Sequence, residues 1–446
     1  AFSAEKPNIL IILADDLGYG DLGYTGSKDI ETPNLDALAK AGVILTDAHT
    51  TASVCAPSRA GLLSGRYQQR VGFECNGPNG SQGLPGDTYT YADGMKDAGY
   101  ETMVLGKWHV GATEEMHPNA QGFDHFSGFT GGSRSYWATP AAKGTKMLQR
   151  NGVKVDEAKE VKYVTDWLTD EAIDLIAKRE KEKPFFMFLS YTAPHAPMHA
   201  RPEDLKKYES IENKGRRTYA AMVDRFDYSV GRVIANLKEQ GIYDNTMIIF
   251  ASDNGGATVN SSDNGIYRGM KGSKWEGGHR VPCIISWPNG KLGNGKKLDL
   301  LSSTLDFMAT SLDAAGRTEV IEEKQLDGIS LLPALRENAQ AERGDLLFFR
   351  RSVAAGVRDG SWKLIRVEEL DKSFRYLLFN LAEDIGETKN LAETQPDKVK
   401  DLAAKLAEWE KTVQEPKWLE GKNYQNNQRL KHKMSVIGRA AERKLP

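Results

Sequence analysis

The sequence predicts an α/β protein: a large mixed, mostly parallel sheet sandwiched by helices, with a smaller C-terminal antiparallel sheet plus helix. Three observations predict it. Four continuous apolar runs, rich in branched and aromatic residues, each end in a cluster of polar, titratable residues. Amphipathic stretches with a 3.6-residue period lie between these runs. Near Arg343 the character changes to short segments separated by turns.

The first run is Pro7-Asn8-Ile9-Leu10-Ile11-Ile12-Leu13-Ala14. Such a stretch reads as a strand buried on both faces, as in a parallel sheet covered by helices. It runs into Asp15-Asp16, two adjacent carboxylates that repel unless one is protonated or a cation sits between them. Residues 32–41 read as a helix with an N-terminal cap at Thr32. Residues 55–64 read as the next helix, with Pro57 in its first turn and Gly65 to stop it. Cys55 therefore lies at a helix N-terminus, where free N–H groups favour negative charge, and Arg59 follows one turn later.

Residues 91–98 carry helical periodicity, and residues 101–106 form the second buried run. If the extended conformation continues beyond it, Lys107 and His109 point to one face. Residues 166–181 read as an amphipathic helix with a solvated Glu/Lys face. The third run, residues 184–190, leads to His195. A long helix over 219–240 carries Met222, Phe226, Val230, Val233 and Leu237 on one stripe. The fourth run, residues 246–252, leads to Asp253 and Asn254. Ligands in open α/β sheets bind beyond the carboxyl ends of the strands, so four such junctions point to one site on one sheet edge. Asp15, Asp16, Asp253 and Asn254 offer only oxygen ligands, which suits Ca²⁺ or, in tighter geometry, Mg²⁺.

Residues 346–350, 355–357, 362–367 and 376–380 read as an antiparallel meander, and 394–411 as a helix behind it. The basic tail, residues 415–446, reads as an extension wrapping the core or as partly disordered chain. A division into a catalytic domain, 1–342, and a C-terminal α+β subdomain, 343–446, follows.

Composition bounds the function. The 446 residues can bury a large core. With 59 basic and 61 acidic residues the formal net charge is −2, which argues against general nucleic-acid binding. No apolar run approaches the ~20 residues that span a bilayer. Three cysteines, Cys55, Cys75 and Cys283, exclude a disulfide scaffold. If Cys55 is modified, the other two are left to pair, though nothing in the sequence requires it. The opening Ala1-Phe2-Ser3-Ala4-Glu5 fits a mature chain whose signal peptide has been removed, and equally a cytoplasmic or trimmed one.

Cys55-x-Pro57-Ser58-Arg59, followed by Ala60-Gly61-Leu62-Leu63-Ser64-Gly65-Arg66, closely resembles the signature of the formylglycine-dependent (type I) sulfatases, which share an alkaline-phosphatase-like fold. Gly106-Lys107-Trp108-His109-x-Gly111, Lys271-x-x-x-x-Glu276-Gly277-Gly278, Arg280-Val281-Pro282 and residues 378–391 match further family segments in family order. The resemblance covers most of the chain. It implies that Cys55 is oxidised by a formylglycine-generating enzyme to 3-oxoalanine (formylglycine), whose hydrate is the nucleophile. It implies one Ca²⁺ held by Asp15, Asp16, Asp253 and Asn254. Arg59, Lys107 and Lys271 would then neutralise the sulfate, His195 would protonate the leaving alcohol, and His109 would help expel sulfate.

The expected reaction is sulfate-ester hydrolysis on a sulfated sugar or polysaccharide. The chain is most similar in style to bacterial sulfatases directed at carrageenan, ulvan or host glycans, which implies a periplasmic or secreted location. Arg134, Tyr136 and Trp137, with His199 and Arg201, are candidate sugar contacts through charge-assisted bonds and stacking. A phosphomonoester or phosphonate hydrolase of the same superfamily is the alternative enzyme, although Cys55 argues against it. A non-catalytic sulfated-glycan-binding protein is the alternative binding module. The exact substrate, the oligomeric state and the conversion of Cys55 stay open at this point.

Overall fold

The computed structural model describes residues 6–77, 80–337 and 346–435. Its main element is a ten-stranded sheet whose central strands are Thr246–Ser252, Asn8–Ala14, Phe185–Ser190, Glu101–Lys107 and His125–Phe129, in that spatial order. These five are mutually parallel. Antiparallel pairings begin where Cys283–Ser286 joins one side and Gln149–Arg150 the other. The sheet is thus mixed, with a parallel centre.

The strand Asn8–Ala14 explains why its sequence is apolar without alternation. Leu10, Ile12 and Ala14 enter one core, with the helices Pro33–Ala41, Val164–Lys178 and Lys214–Glu239. Ile9, Ile11 and Leu13 enter the other, with Cys55–Ser64, Tyr91–Asp97 and Asp306–Ala314. Both faces are dry, so every position is apolar.

Two helix starts differ from expectation. Thr32 makes no side-chain cap to the helix Pro33–Ala41. The Asp227 carboxylate, from the long helix, accepts from Asn34 N at 3.1 Å and Leu35 N at 2.7 Å instead. That cap comes from another helix, and local spacing carries no trace of it. The long helix itself begins at Lys214, because Asn213 accepts from Arg216 N at 3.0 Å. Its first turn is polar and lacks the apolar stripe that marks the rest.

The C-terminal strands Leu346–Arg351, Ala354–Asp359, Trp362–Glu368 and Phe374–Asn380 form an antiparallel sheet in sequence order. One face, with Val357, Leu364 and Leu378, packs on Leu402, Leu406 and Trp409 of the helix Pro396–Glu410. The other, with Ile365, Leu377 and Phe379, packs on Trp275. The expected boundary at 342/343 lies outside the described residues. The tail runs back over the core: Trp418 donates to Cys75 O at 2.9 Å, and the helix Lys422–Lys431 follows. Residues 436–446 of that tail lie outside the described set. Cys75 and Cys283 are free, buried thiols and do not pair.

Candidate active site

The four strand ends named by the sequence converge on the start of the helix Cys55–Ser64. Every residue of that helix is buried. Its N-terminus is tied down by Asn76, whose Oδ1 accepts from Ala56 N at 3.1 Å. Cys55 Sγ lies 3.6 Å from Asp15 Oδ1 and 4.0 Å from Asp16 Oδ1. Lys271 Nζ lies 2.9 Å from the same sulfur and 2.6 Å from Asp16 Oδ1. Lys274, three residues on, turns away and donates to Ser53 Oγ at 3.3 Å.

Arg59 is fully buried. Its Nε donates to Asp253 Oδ2 at 2.9 Å, and Nη1 reaches Lys107 O at 2.8 Å and Ser190 Oγ at 2.5 Å. Its Nη2 is buried with no partner among the described residues. Lys107 Nζ pairs with Asp15 Oδ2 at 2.7 Å. His195 Nε2 stands 3.5 Å from Asp16 Oδ2, while its Nδ1 bonds Ala196 O. Asn260 Nδ2 donates to both Asp16 O (3.0 Å) and Pro194 O (3.2 Å), fastening the acidic turn to the His195 loop.

The charges shift one another strongly. Burial raises the Cys55 thiol, but Lys107 and Lys271 outweigh it and bring it down to about 6. Burial opposes ionisation of Asp16 too, yet Lys271, His195 and Lys107 hold it well below the usual carboxylate range. Burial, followed by repulsion from Asp15, lifts Asp253 to about 6 against Arg59. His109 is driven far below the usual imidazole range by burial and then by Lys107 and Arg59, so it stays neutral.

Lys107 and His109 do not continue on one extended face. The strand ends at Lys107, and His109 takes the left-handed region at φ 64°. The turn carries the imidazole against Gly132, where any Cβ would overlap the ring.

The oxygen-only set fits a hard cation. Among the described residues Asn254 Oδ1 is buried with no hydrogen-bond partner and Asp16 Oδ2 has only the His195 imidazole at 3.5 Å, while Asn254 Nδ2 donates to Asp16 Oδ1 at 2.7 Å. Asp16 N donates to Asp253 Oδ1 at 3.3 Å, so the two acidic strand ends touch. Asp15 and Asp16 group with Cys55 and His195 closely enough to share an ion, whereas Asp253 stands outside that group and meets it through Asp16 N. Orphaned carboxylate and amide oxygens of this kind suit Ca²⁺.

The expected sugar contacts are placed unevenly. Arg134 is buried and spent on Glu157, with Nη2 to Oε2 at 2.6 Å. Tyr136 is buried, and its hydroxyl meets Thr192 O and His195 O, both at 2.8 Å. Both therefore brace loops, because the buried guanidinium and phenol find partners inside the protein. Arg201 is held by Asp166 at 2.9 Å. His199 is half-buried beside Ser135, and Trp137 is the most exposed of the five.

Sequence reasoning missed Ser190, Asn260 and Gly132. Ser190 closes its strand as a plain last residue, and its Oγ also donates to Lys107 O at 2.7 Å. Asn260 ends the short 3-10 turn Thr258–Asn260 and Gly132 sits in a loop, neither within a motif.

Residues 7–317 match the family model described as Sulfatase. The chain is 33% identical to arylsulfatase J of Mus musculus over 365 residues, covering 80% of this chain and 60% of that protein. It thus spans about three fifths of that relative's length. It is 31% identical to N-acetylgalactosamine-6-sulfatase of Canis lupus familiaris over 391 residues, covering 81% and 72%. The crystal structure of Ps i-CgsB in complex with k-i-k-neocarrahexaose superposes with a TM-score of 0.87 at 36% identity, covering 96% of this chain and 98% of that one.

Proposed function

The chain belongs to the sulfatase family, and on that premise we propose that it hydrolyses a sulfate ester on a sulfated carbohydrate. The observation that carries the reading is Cys55 at a buried helix N-terminus, with Lys271, Lys107, Arg59 and two strand-end aspartates around it. Cys55, converted to formylglycine by a formylglycine-generating enzyme, would supply a hydrated carbonyl as the nucleophile toward sulfur. Asp15, Asp16, Asp253 and Asn254 would hold Ca²⁺, which would supply positive charge against the sulfate oxygens.

The chain's own residues do the rest. Lys107 and Lys271 add fixed positive charge where negative charge grows on the sulfate, usually the largest catalytic contribution in such sites. Arg59 Nη2 is a donor in the same buried place, still without a partner among the described residues. His195 has its Nδ1 engaged by Ala196 O, which leaves Nε2 to deliver a proton to the departing alcohol. His109, kept neutral and with Nδ1 unpartnered, accepts a proton as sulfate leaves.

A carrageenan-type oligosaccharide is the first substrate to try, because Ps i-CgsB is described in complex with one. A periplasmic or secreted location belongs to the same reading. The test is sulfate release from sulfated oligosaccharides by protein matured to formylglycine, with Ca²⁺ present and phosphate release measured in parallel. Release of sulfate supports the proposal. Release of phosphate alone from matching phosphoesters overturns it.

A further inference from the structure

We propose that the groove leading away from His109 binds the sugars next to the one being desulfated, and that Lys146 holds a second sulfate there. The inference rests on the sulfatase reading and extends it from one ester to an oligosaccharide.

Two adjoining cavities carry the argument. The first, about 260 Å³, is lined by His109, Gln82, Gly132 and Lys146. The second, about 420 Å³, is lined by Thr113, His117 and Gln149. Gly80, Thr130 and Thr145 line both, so the two cavities adjoin in a line that starts at the His109 imidazole. Its extent falls in the range of small-ligand sites and exceeds what one sulfate group fills.

The lining is polar at the His109 end and mixed further out. Gln82 Oε1 and Thr113 Oγ1 are buried without a partner among the described residues, so the groove carries hydrogen-bonding capacity that those residues leave unmet. At the far end His117 Nε2 and Gln149 Oε1 pair at 3.2 Å. Hydroxyls, amides and glycines beside His109 match the hydroxyl-rich edge of a sugar chain, and Ala112 and Met147 in the second cavity offer apolar surface to its ring faces.

Charge selects the anionic sugar. The nearby guanidinium groups are spent: Arg134 on Glu157, and Arg150 on Glu160 and Glu171. Lys146 is exposed and has no carboxylate partner among the described residues. It is also anchored. Arg134 Nη1 donates to Lys146 O at 3.0 Å, fixing the turn Gly144–Lys146 that presents the ammonium. The buried Arg134–Glu157 pair thereby becomes a support for the groove's one free cation among the described residues.

The experiment measures binding by the whole protein with Cys55 unmodified, which keeps turnover out of the titration. The probes are k-i-k-neocarrahexaose and a disaccharide cut from the same chain, against the parent, Lys146→Ala and Lys146→Glu. The groove requires the hexasaccharide to bind more tightly than the disaccharide. Lys146→Ala weakens hexasaccharide binding about tenfold, the size of one charge-assisted hydrogen bond, and Lys146→Glu weakens it further. Equal affinity for the two probes, no binding of the hexasaccharide, or indifference to both substitutions overturns the groove. Sulfate release by matured parent protein, read separately, tests the reaction. Binding that depends on Lys146 without any release would sink the reaction and leave the groove standing as a glycan site.

Discussion

The backbone N–H of Lys274 donates to Nε2 of His432 over 2.7 Å, joining the loop that carries Lys271 to the C-terminal tail. The imidazole is fully buried, and its Nδ1 bonds Gln428 O at 2.6 Å. Nε2 must accept and Nδ1 must donate, so the ring has to be neutral. Two neighbouring bonds reinforce the clamp: Trp275 Nε1 to Lys431 O at 2.8 Å, and Lys431 Nζ to Lys271 O at 3.0 Å. Residues 160 positions apart in the chain thus set where the Lys271 ammonium stands.

This clamp predicts a pH dependence. Burial, above all, lowers His432 from 6.5 to about 3. The unfolded chain takes up a proton below pH 6.5 and the folded one does not, so stability is full above 6.5 and is lost as pH falls from there toward 3. The loss is bounded at roughly 5 kcal/mol. Between pH 7 and 5 the urea midpoint of the parent is expected to fall more steeply than that of His432→Gln. His49, His279 and His109 contribute to both proteins, so the difference in slope isolates His432. Parallel slopes would sink the assignment.

Cys55→Ala is expected to abolish sulfate release while shifting stability by about 1 kcal/mol or less, since a small buried side chain loses one atom. Sulfate release and thermal unfolding on the same preparation check both halves. Turnover comparable to the parent would remove Cys55 from the reaction.

Gly132→Ala inserts a methyl into the His109 ring. The imidazole must move, and misplacement by about 1 Å costs on the order of 10²-fold in rate. The expected result is a large fall in kcat with an unchanged far-UV spectrum. A parent-like kcat would show that His109 has room the structure denies it.

Lys363 lies fully buried between Glu276 and Glu387, at 2.9 and 2.8 Å, and joins the C-terminal sheet to the short helix Glu276–His279. Glu387 is already pushed up to about 7 by burial, despite Lys363. Lys363→Met leaves buried carboxylates short of a cation and is expected to cost about 3–5 kcal/mol in urea unfolding. A loss under about 1 kcal/mol would mean that Arg358 and Arg280 suffice.

Ca²⁺ is expected to raise the thermal midpoint, and a chelator to lower it. At a hundredfold excess over Kd the gain is about 2.7 kcal/mol. Asn254→Ala removes one of the two orphaned oxygens and should blunt the gain. A midpoint indifferent to Ca²⁺ in the parent would speak against the cation.

The sequence by itself determined four of the five central strands and where each one ends; His125–Phe129, short and without a long apolar run, left no such signal. Runs such as Ile9 to Leu13 are apolar at every position because both faces of the sheet are covered, and that is a local signal. It also determined the residue types at the strand ends, and hence that charge collects on one edge. The tertiary structure alone decided which atoms meet. His109 leaves the extended path through a positive φ and rests on Gly132, a glycine with no motif around it. Arg134 and Tyr136 look like sugar contacts in a loop, yet they turn inward to Glu157 and to the His195 loop. The Asp227 cap, the Asn260 tie and the His432 clamp each pair residues far apart in the chain. Their physical reason is the same: a buried donor or acceptor must find a partner in space, and spacing along the chain does not say which one it finds.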